Sequence, residues 1–211
     1  MNKTSSVVVV GAGIVGCAVA YELARRGMHV RVLDRRKVGQ GATQASAGVL
    51  APFIEAFDRR QLLELTSRSL GLYDEFVSRV VEDSGSAVQY ARTGTLEVAL
   101  DDAGLQRLGV IQKTCEDRGI RAELLKAQEL FSAEPHLSDS ICGGLIVESH
   151  GFVGASDLTI ALRRAAGAYG VSFETASAAT RIAKNGSGIR IQTVGDDFVC
   201  CLLYTSDAAD E

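Results

Sequence analysis

Two short stretches near the N-terminus hold residue types whose spacing points to chemistry. The first, Gly11-Ala-Gly-Ile-Val-Gly16, follows the apolar run Ser6 to Val10 at once and precedes the small and apolar residues of Cys17 to Arg26. Each glycine meets a different demand. Gly11 permits a tight turn, Gly13 lets the backbone approach a pyrophosphate, and Gly16 lets helix and strand pack closely. The helix that begins there offers N–H groups and a partial positive charge to phosphate oxygens. Asp34 stands 18 residues beyond Gly16, at the end of the next apolar run, where a carboxylate accepts hydrogen bonds from ribose hydroxyls. It also repels a 2′-phosphate, although Arg35 and Arg36 follow it. The pattern is that of a dinucleotide site, and alone it does not separate FAD from NAD. The second stretch, Gly39 to Gly48, is rich in Gly, Ala, Ser and Thr and reads as a loop entering a short helix.

The elements that must position these residues follow from periodicity. Ser6 to Val10 predicts a buried parallel strand, Cys17 to Arg26 a helix stopped by Gly27, and His29 to Leu33 a second strand, together a βαβ unit. The uncharged stretch Val7 to Tyr21 is too short to span a bilayer and reads as this strand and helix rather than as a signal peptide. Leu62, Leu65, Ser69, Leu72, Phe76 and Val80 recur at three and four, predicting a long amphipathic helix between Asp58 and Glu82. Strands are expected at 88–91 and 95–100, a helix at 101–118, a short helix at 126–131, and strands at 143–148 and 151–153. Ser156 and Asp157 would cap a helix running to Tyr169, a strand would follow at 171–175, and 181–183 with 189–193 would form a hairpin around Asn185-Gly-Ser-Gly188.

Composition narrows the classes. The 211 residues are 46% hydrophobic and 23% charged, with a net charge of −4, which fits a globular protein and gives no electrostatic footprint for nucleic acid. The five cysteines, Cys17, Cys115, Cys142, Cys200 and Cys201, include no C-x-x-C pair and no zinc spacing, so no metal is expected and a reducing, cytoplasmic setting is. His29 reads as structural, His150 as a turn residue at the surface, and Tyr90 and Arg92 as candidates to line a pocket. The last eleven residues, Cys201 to Glu211, break the preceding pattern, and their codons can be written as a sequencing-library adapter. They are expected to be non-native and are set outside the fold reasoning. Asp207, Asp210 and Glu211 in that tail carry three of the four net negative charges.

A second small-residue segment so soon after the ribose acid resembles the D-amino-acid oxidase superfamily of FAD-dependent oxidoreductases. Ala47-Gly-Val-Leu-Ala-Pro52, Arg92-Thr-Gly-Thr-Leu-Glu-Val-Ala-Leu100 and Gly143-Gly-Leu-Ile-Val147 are most similar to its glycine oxidase branch, which serves thiamine biosynthesis. The resemblance implies an α/β fold: a Rossmann-like FAD-binding domain with a parallel sheet, interleaved with an α+β substrate domain. Residues 1–83 would be the first FAD-binding part, 84–142 substrate domain, and 143–200 the return to the FAD-binding domain. It implies that Ile14 and Val15 face the pyrophosphate, Asp34 and Arg35 the ribose and adenine, Ala42 and Thr43 the phosphates, and Ala47, Gly48 and Val49 the isoalloxazine. Ala179 would hold the adenine through its backbone. The implied reaction is oxidation of a small amino acid or amine by hydride transfer to flavin, with oxygen as acceptor. Sarcosine oxidase and D-amino-acid dehydrogenase share these motifs, and an inactive dinucleotide-binding fragment is the remaining alternative. No catalytic residue is assigned, because the family's carboxylate-anchoring arginine belongs to a C-terminal half expected to be missing here. A homo-oligomer is left open for the complete enzyme.

Overall fold

The computed structural model describes residues 2–205. These divide into two compact units, one made of residues 2–47, Phe76–Gln89 and 154–205, the other of Gly48–Glu75 and Tyr90–Val153. The sequence-based boundaries at 83/84 and 142/143 are displaced from these. The reason lies in strand pairing: Gly143–Val147 and Gly151–Val153 pair with strands of the second unit and so do not return to the first.

The first unit is built on a six-stranded sheet. Its strands are β1 (Asn2–Val10), β2 (Val30–Leu33), β9 (Ser172–Glu174), β10 (Arg181–Asn185), β11 (Gly188–Gln192) and β12 (Asp197–Thr205), in the order β10-β11-β12-β1-β2-β9. β12, β1, β2 and β9 run parallel, while β10 and β11 form the expected antiparallel hairpin. Val7, Val8 and Val9 in β1 have no exposure, as a central parallel strand covered on both faces requires. Helix α1 (Ile14–Arg25) follows β1, and it ends in two carbonyl-satisfying bonds, Gly27 N–H to Ala24 and Met28 N–H to Leu23. Gly27 takes φ +81°, the left-handed residue that this helix ending needs. α2 (Ala42–Ala45) is a single turn, and α7 (Ala155–Ala168) packs against α1. Gly154, rather than Ser156 or Asp157, is the N-cap of α7, and Asp157 falls in its first turn.

The sequence predicts no strand where β12 lies. β12 continues beyond Val199 into the stretch set aside as foreign, where Val7, Val8, Val9 and Val10 face Leu202, Leu203, Tyr204 and Thr205 in register. A central parallel strand accepts apolar, aromatic and β-branched residues whatever their origin, and these four are of that kind. Residues 206–211 lie outside the described residues.

The second unit holds two three-stranded antiparallel sheets. One consists of β3 (Val49–Leu50), β8 (Gly151–Val153) and β4 (Tyr90–Ala91), and the other of β5 (Thr95–Ala99), β7 (Gly143–Val147) and β6 (Ala122–Lys126). α3 (Pro52–Glu55), α5 (Asp102–Glu116) and α6 (Ala127–Ala133) accompany them. Phe53, Leu63, Leu70, Leu108, Ile111, Leu145 and Val147 form the core. The long helix α4 (Arg60–Ser84) contributes to both units. Its buried face is Leu63, Leu70, Val77 and Val80, whereas Leu62, Leu65 and Leu72 are 37%, 66% and 56% exposed. Adjacent leucines give α4 two apolar stripes of the same period, so spacing alone does not choose between them.

Candidate functional site

The glycine turn is held by its neighbours on the sheet. Gly11 takes φ +107°, and its N–H donates to the Leu33 carbonyl at 2.8 Å, which locks the turn to the end of β2. A Cβ at Gly16 would stand 1.9 Å from the Gly11 carbonyl oxygen, so only glycine lets α1 start this close to β1. Gly13 is the N-cap of α1, with no side chain to cap it and no acidic residue in the first turn. The first turn of α1 thus offers backbone dipoles to an anion with no acidic side chain of its own. Val15, in that first turn, is 51% exposed despite being apolar. Cys17 is buried just behind, where burial first and the nearby Asp34 carboxylate second push its thiol up to about 12. It stays a neutral thiol with no nucleophilic role at ordinary pH.

Asp34 and Thr43 both reach this turn. Asp34 Oδ2 accepts the Ala12 N–H at 2.7 Å and Oδ1 accepts the Arg36 N–H at 2.7 Å, so the carboxylate is aimed along the glycine loop. Thr43, buried in α2, accepts the Ile14 N–H on Oγ1 at 3.0 Å, and a Cβ at Gly13 would lie 3.1 Å from the same oxygen. Gly41, with φ +98°, delivers α2 to that position, and Arg36 lies above it, with Nη1 3.0 Å from where a Cβ would stand. The Ser177 N–H donates to the Asp34 carbonyl at 2.9 Å, which carries the chain back beside β2 shortly before Ala179. Ala179 itself packs against the cluster of Val8, Leu33, Ile191 and Phe198.

Thus Gly11, Gly13, Ile14, Gly16, Asp34 and Thr43 converge on one loop cluster. Arg35, Ala42 and Ala47 are exposed, the first next to Asp34 and the others within and just beyond α2. Gly48 and Val49 belong to the second unit. Arg36, named in the sequence only for its bearing on a 2′-phosphate, joins the loop cluster through its amide on Asp34.

In the second unit Gly48 takes φ +73° and its carbonyl accepts the Val153 N–H at 2.9 Å, while Val49 is 60% exposed. A cavity of about 250 Å³ lies beside them, lined by Val49, Leu50, Pro52, Glu55, Ser69 and Tyr73, among others. Arg92 does not line it. Its guanidinium donates to Tyr90 Oη, the Ser149 carbonyl, the Leu70 carbonyl and Asp74 at 2.6, 2.8, 2.5 and 3.1 Å, all within this unit. The Tyr90 hydroxyl, first, and this guanidinium hold the Asp74 carboxyl below its usual range. His150, expected at the surface, has no exposure: Phe53 stacks on its ring at 5.4 Å and 8°. Burial, then the positive charge of Arg92, lowers its pKa to about 4.

Comparison with known proteins draws these features together. Residues 6–208 match the family described as DAO, FAD dependent oxidoreductase. The chain belongs to this family. Its members are FAD-dependent oxidoreductases. Among curated relatives, a glycine oxidase of Geobacillus kaustophilus is 28% identical over 220 residues, covering 99% of this chain and 56% of that protein. A glycerol 3-phosphate dehydrogenase of Caloramator mitchellensis is 27% identical over 194 residues, covering 91% and 39% respectively. The crystal structure of glycine oxidase from Geobacillus kaustophilus superposes with a TM-score of 0.92 at 25% identity, over 96% of this chain and 55% of that one. The chain spans about half the length, or less, of the curated relatives it matches. None of the helices among the described residues is long and apolar enough to cross a membrane.

Proposed function

We propose that this DAO-family chain serves FAD-dependent oxidative deamination of a small amino acid or amine, in the manner of a glycine oxidase, with oxygen as electron acceptor. The observation that carries the reading is the likeness to glycine oxidase across nearly the whole chain, in sequence and in fold together. Bound FAD supplies the acceptor for the two electrons and the hydrogen that leave the substrate's α-carbon. The chain's own residues bind and orient it. Gly11, Gly13 and Gly16 bring the start of α1 to the pyrophosphate, and Ile14 and Val15 face it. Ala42 and Thr43 complete the phosphate side, Asp34 and Arg35 take the ribose and adenine side, and the Ala179 backbone holds the adenine. Ala47, Gly48 and Val49 would approach the isoalloxazine. A cytoplasmic location agrees with five free thiols.

Titrating the chain with FAD, recording flavin absorbance, and measuring peroxide release with glycine, sarcosine and D-alanine tests the reading. The expected results are a bound-flavin spectrum and peroxide from one of the three amines when the chain is part of a full-length enzyme. A second reading is favoured by the Caloramator relative: oxidation of glycerol 3-phosphate, a C–O rather than a C–N oxidation. Turnover of glycerol 3-phosphate with none of the amines would select it.

A further inference from the structure

His150 sits between β7 and β8, and four contacts from other segments hold it. Its carbonyl accepts the Gly94 N–H at 3.0 Å, its Nδ1 lies 2.7 Å from Thr95 Oγ1, and its Nε2 accepts the Phe53 N–H at 3.3 Å. The fourth contact is the parallel stack on the Phe53 ring. The Phe53 bond is the informative one, because the start of α3 has no local means of satisfying that amide. Ala51 is the N-cap and has no side-chain acceptor, and Pro52 brings no N–H of its own. An acceptor from another strand must do it, and a ring nitrogen without a hydrogen is the one present. Nε2 must therefore be bare and Nδ1 must carry the proton, donated to Thr95. A low pKa agrees with this, since burial keeps the imidazole neutral.

The segment that ends at Phe53 begins at Gly48. Between them β3 is held to β8 by Val49 opposite Phe152 and Leu50 opposite Gly151, with the Val153 N–H on the Gly48 carbonyl. β8 thus fixes one end and His150, in the turn leading to β8, fixes the other. We propose that His150 is a positioning residue that holds segment 48–52 in the form that meets the flavin, by capping the Phe53 amide from its neutral Nδ1–H tautomer. This rests on the reading above that Gly48 and Val49 approach the isoalloxazine.

The test uses the full chain and the variants His150→Phe and His150→Gln. Phenylalanine keeps the stack and loses both side-chain hydrogen bonds, whereas glutamine returns a carbonyl acceptor to Phe53. Long-range ¹H–¹⁵N spectra at pH 7 should show His150 with Nδ1 protonated and Nε2 bare. Flavin fluorescence titration should show His150→Phe binding FAD about tenfold more weakly, the scale of one lost hydrogen bond. Its bound-flavin visible circular dichroism should change as well, and His150→Gln should recover most of both. If His150→Phe does not fold, Thr95→Val carries the test: removal of the Nδ1 partner should raise the Nε2–H form and weaken FAD binding. Unchanged affinity and flavin dichroism in a folded variant, equal weakening by Phe and Gln, or an Nε2–H ring in the unaltered chain would overturn the inference. An unaltered chain that takes up no FAD would overturn the site reading itself and this inference with it. Unchanged binding by His150→Phe would overturn this inference alone.

Discussion

Replacing Gly16 by alanine is the sharpest test of the glycine turn, because the collision can be read directly. The added methyl would stand 1.9 Å from the Gly11 carbonyl oxygen, 3.0 Å from its carbon and 3.3 Å from Val9 Cγ1. A carbon–oxygen contact normally settles near 3.3–3.6 Å, roughly the spacing of a weak C–H···O contact. The turn and α1 must therefore part by more than an ångström, and both sides of the collision are backbone. Overpacking typically costs about 1–3 kcal/mol, and a clash between main chains belongs at about 3. For a chain of this size that is a fall in Tm of roughly 6–12 °C. The same displacement withdraws the α1 amides from the pyrophosphate, so FAD affinity should fall at least about tenfold. Gly27→Ala is the control: it forces φ +81° on an L-residue with nothing within 4 Å, so it should cost about 1–2 kcal/mol of left-handed strain and leave FAD affinity alone. Melts by far-UV circular dichroism and flavin fluorescence titration measure both. A Gly16→Ala chain that melts within about 2 °C of the parent and binds FAD normally would refute the packing argument.

Three further outcomes are expected. Asp34→Ala removes the acceptor of the Ala12 and Arg36 amides together with the proposed ribose partner, and FAD affinity measured by the same titration should drop by about tenfold or more. Arg92→Met takes the donor from the Leu70 and Ser149 carbonyls, while Asp74 keeps the Tyr90 hydroxyl, and should lower stability in urea melts by about 1–3 kcal/mol. His150 has a folded pKa of about 4, below its ordinary 6.5, so the unfolded chain binds the extra proton between those values. Its contribution is complete above pH 6.5 and is lost as pH falls toward 4, by about 3 kcal/mol. The parent and His150→Phe should therefore differ in the slope of stability against pH within that window, and equal slopes would contradict a buried neutral imidazole.

The glycine turn was legible because its geometry is local. Gly11, Gly13, Gly16 and Asp34 lie in one βαβ unit, and the left-handed φ of Gly11 and the close approach at Gly16 are backbone constraints that glycine answers. Thr43 was assigned through resemblance to the phosphates, but its bond to the Ile14 amide depends on the left-handed turn at Gly41, which spacing does not reveal. His150 was misplaced because a histidine beside a glycine reads as a surface turn. Its burial arises from two other segments, one at Phe53 and one running from Arg92 to Thr95. β6 was missed since Ala122-Glu-Leu-Leu-Lys126 has no strand-like alternation of its own and takes its conformation from pairing with β7. The α4 face was misread for the opposite reason, an excess of leucine that satisfied two helical stripes at once.

The place of β12 in the sheet has a consequence for how the chain assembles. β1 finds β2 early, with Val7 opposite Val30, but its other edge waits for partners as distant as Asp197 opposite Asn2 and Leu202 opposite Val7. On a ribosome that edge is made among the first residues and completed by nearly the last of those described. Until then a run of four valines presents unpaired backbone to other nascent chains, the condition that favours edge-to-edge association. Sheet closure, rather than formation of the glycine turn, should then be the slow step of folding, and yield on expression should depend on keeping the β1 edge apart from its copies until β12 arrives.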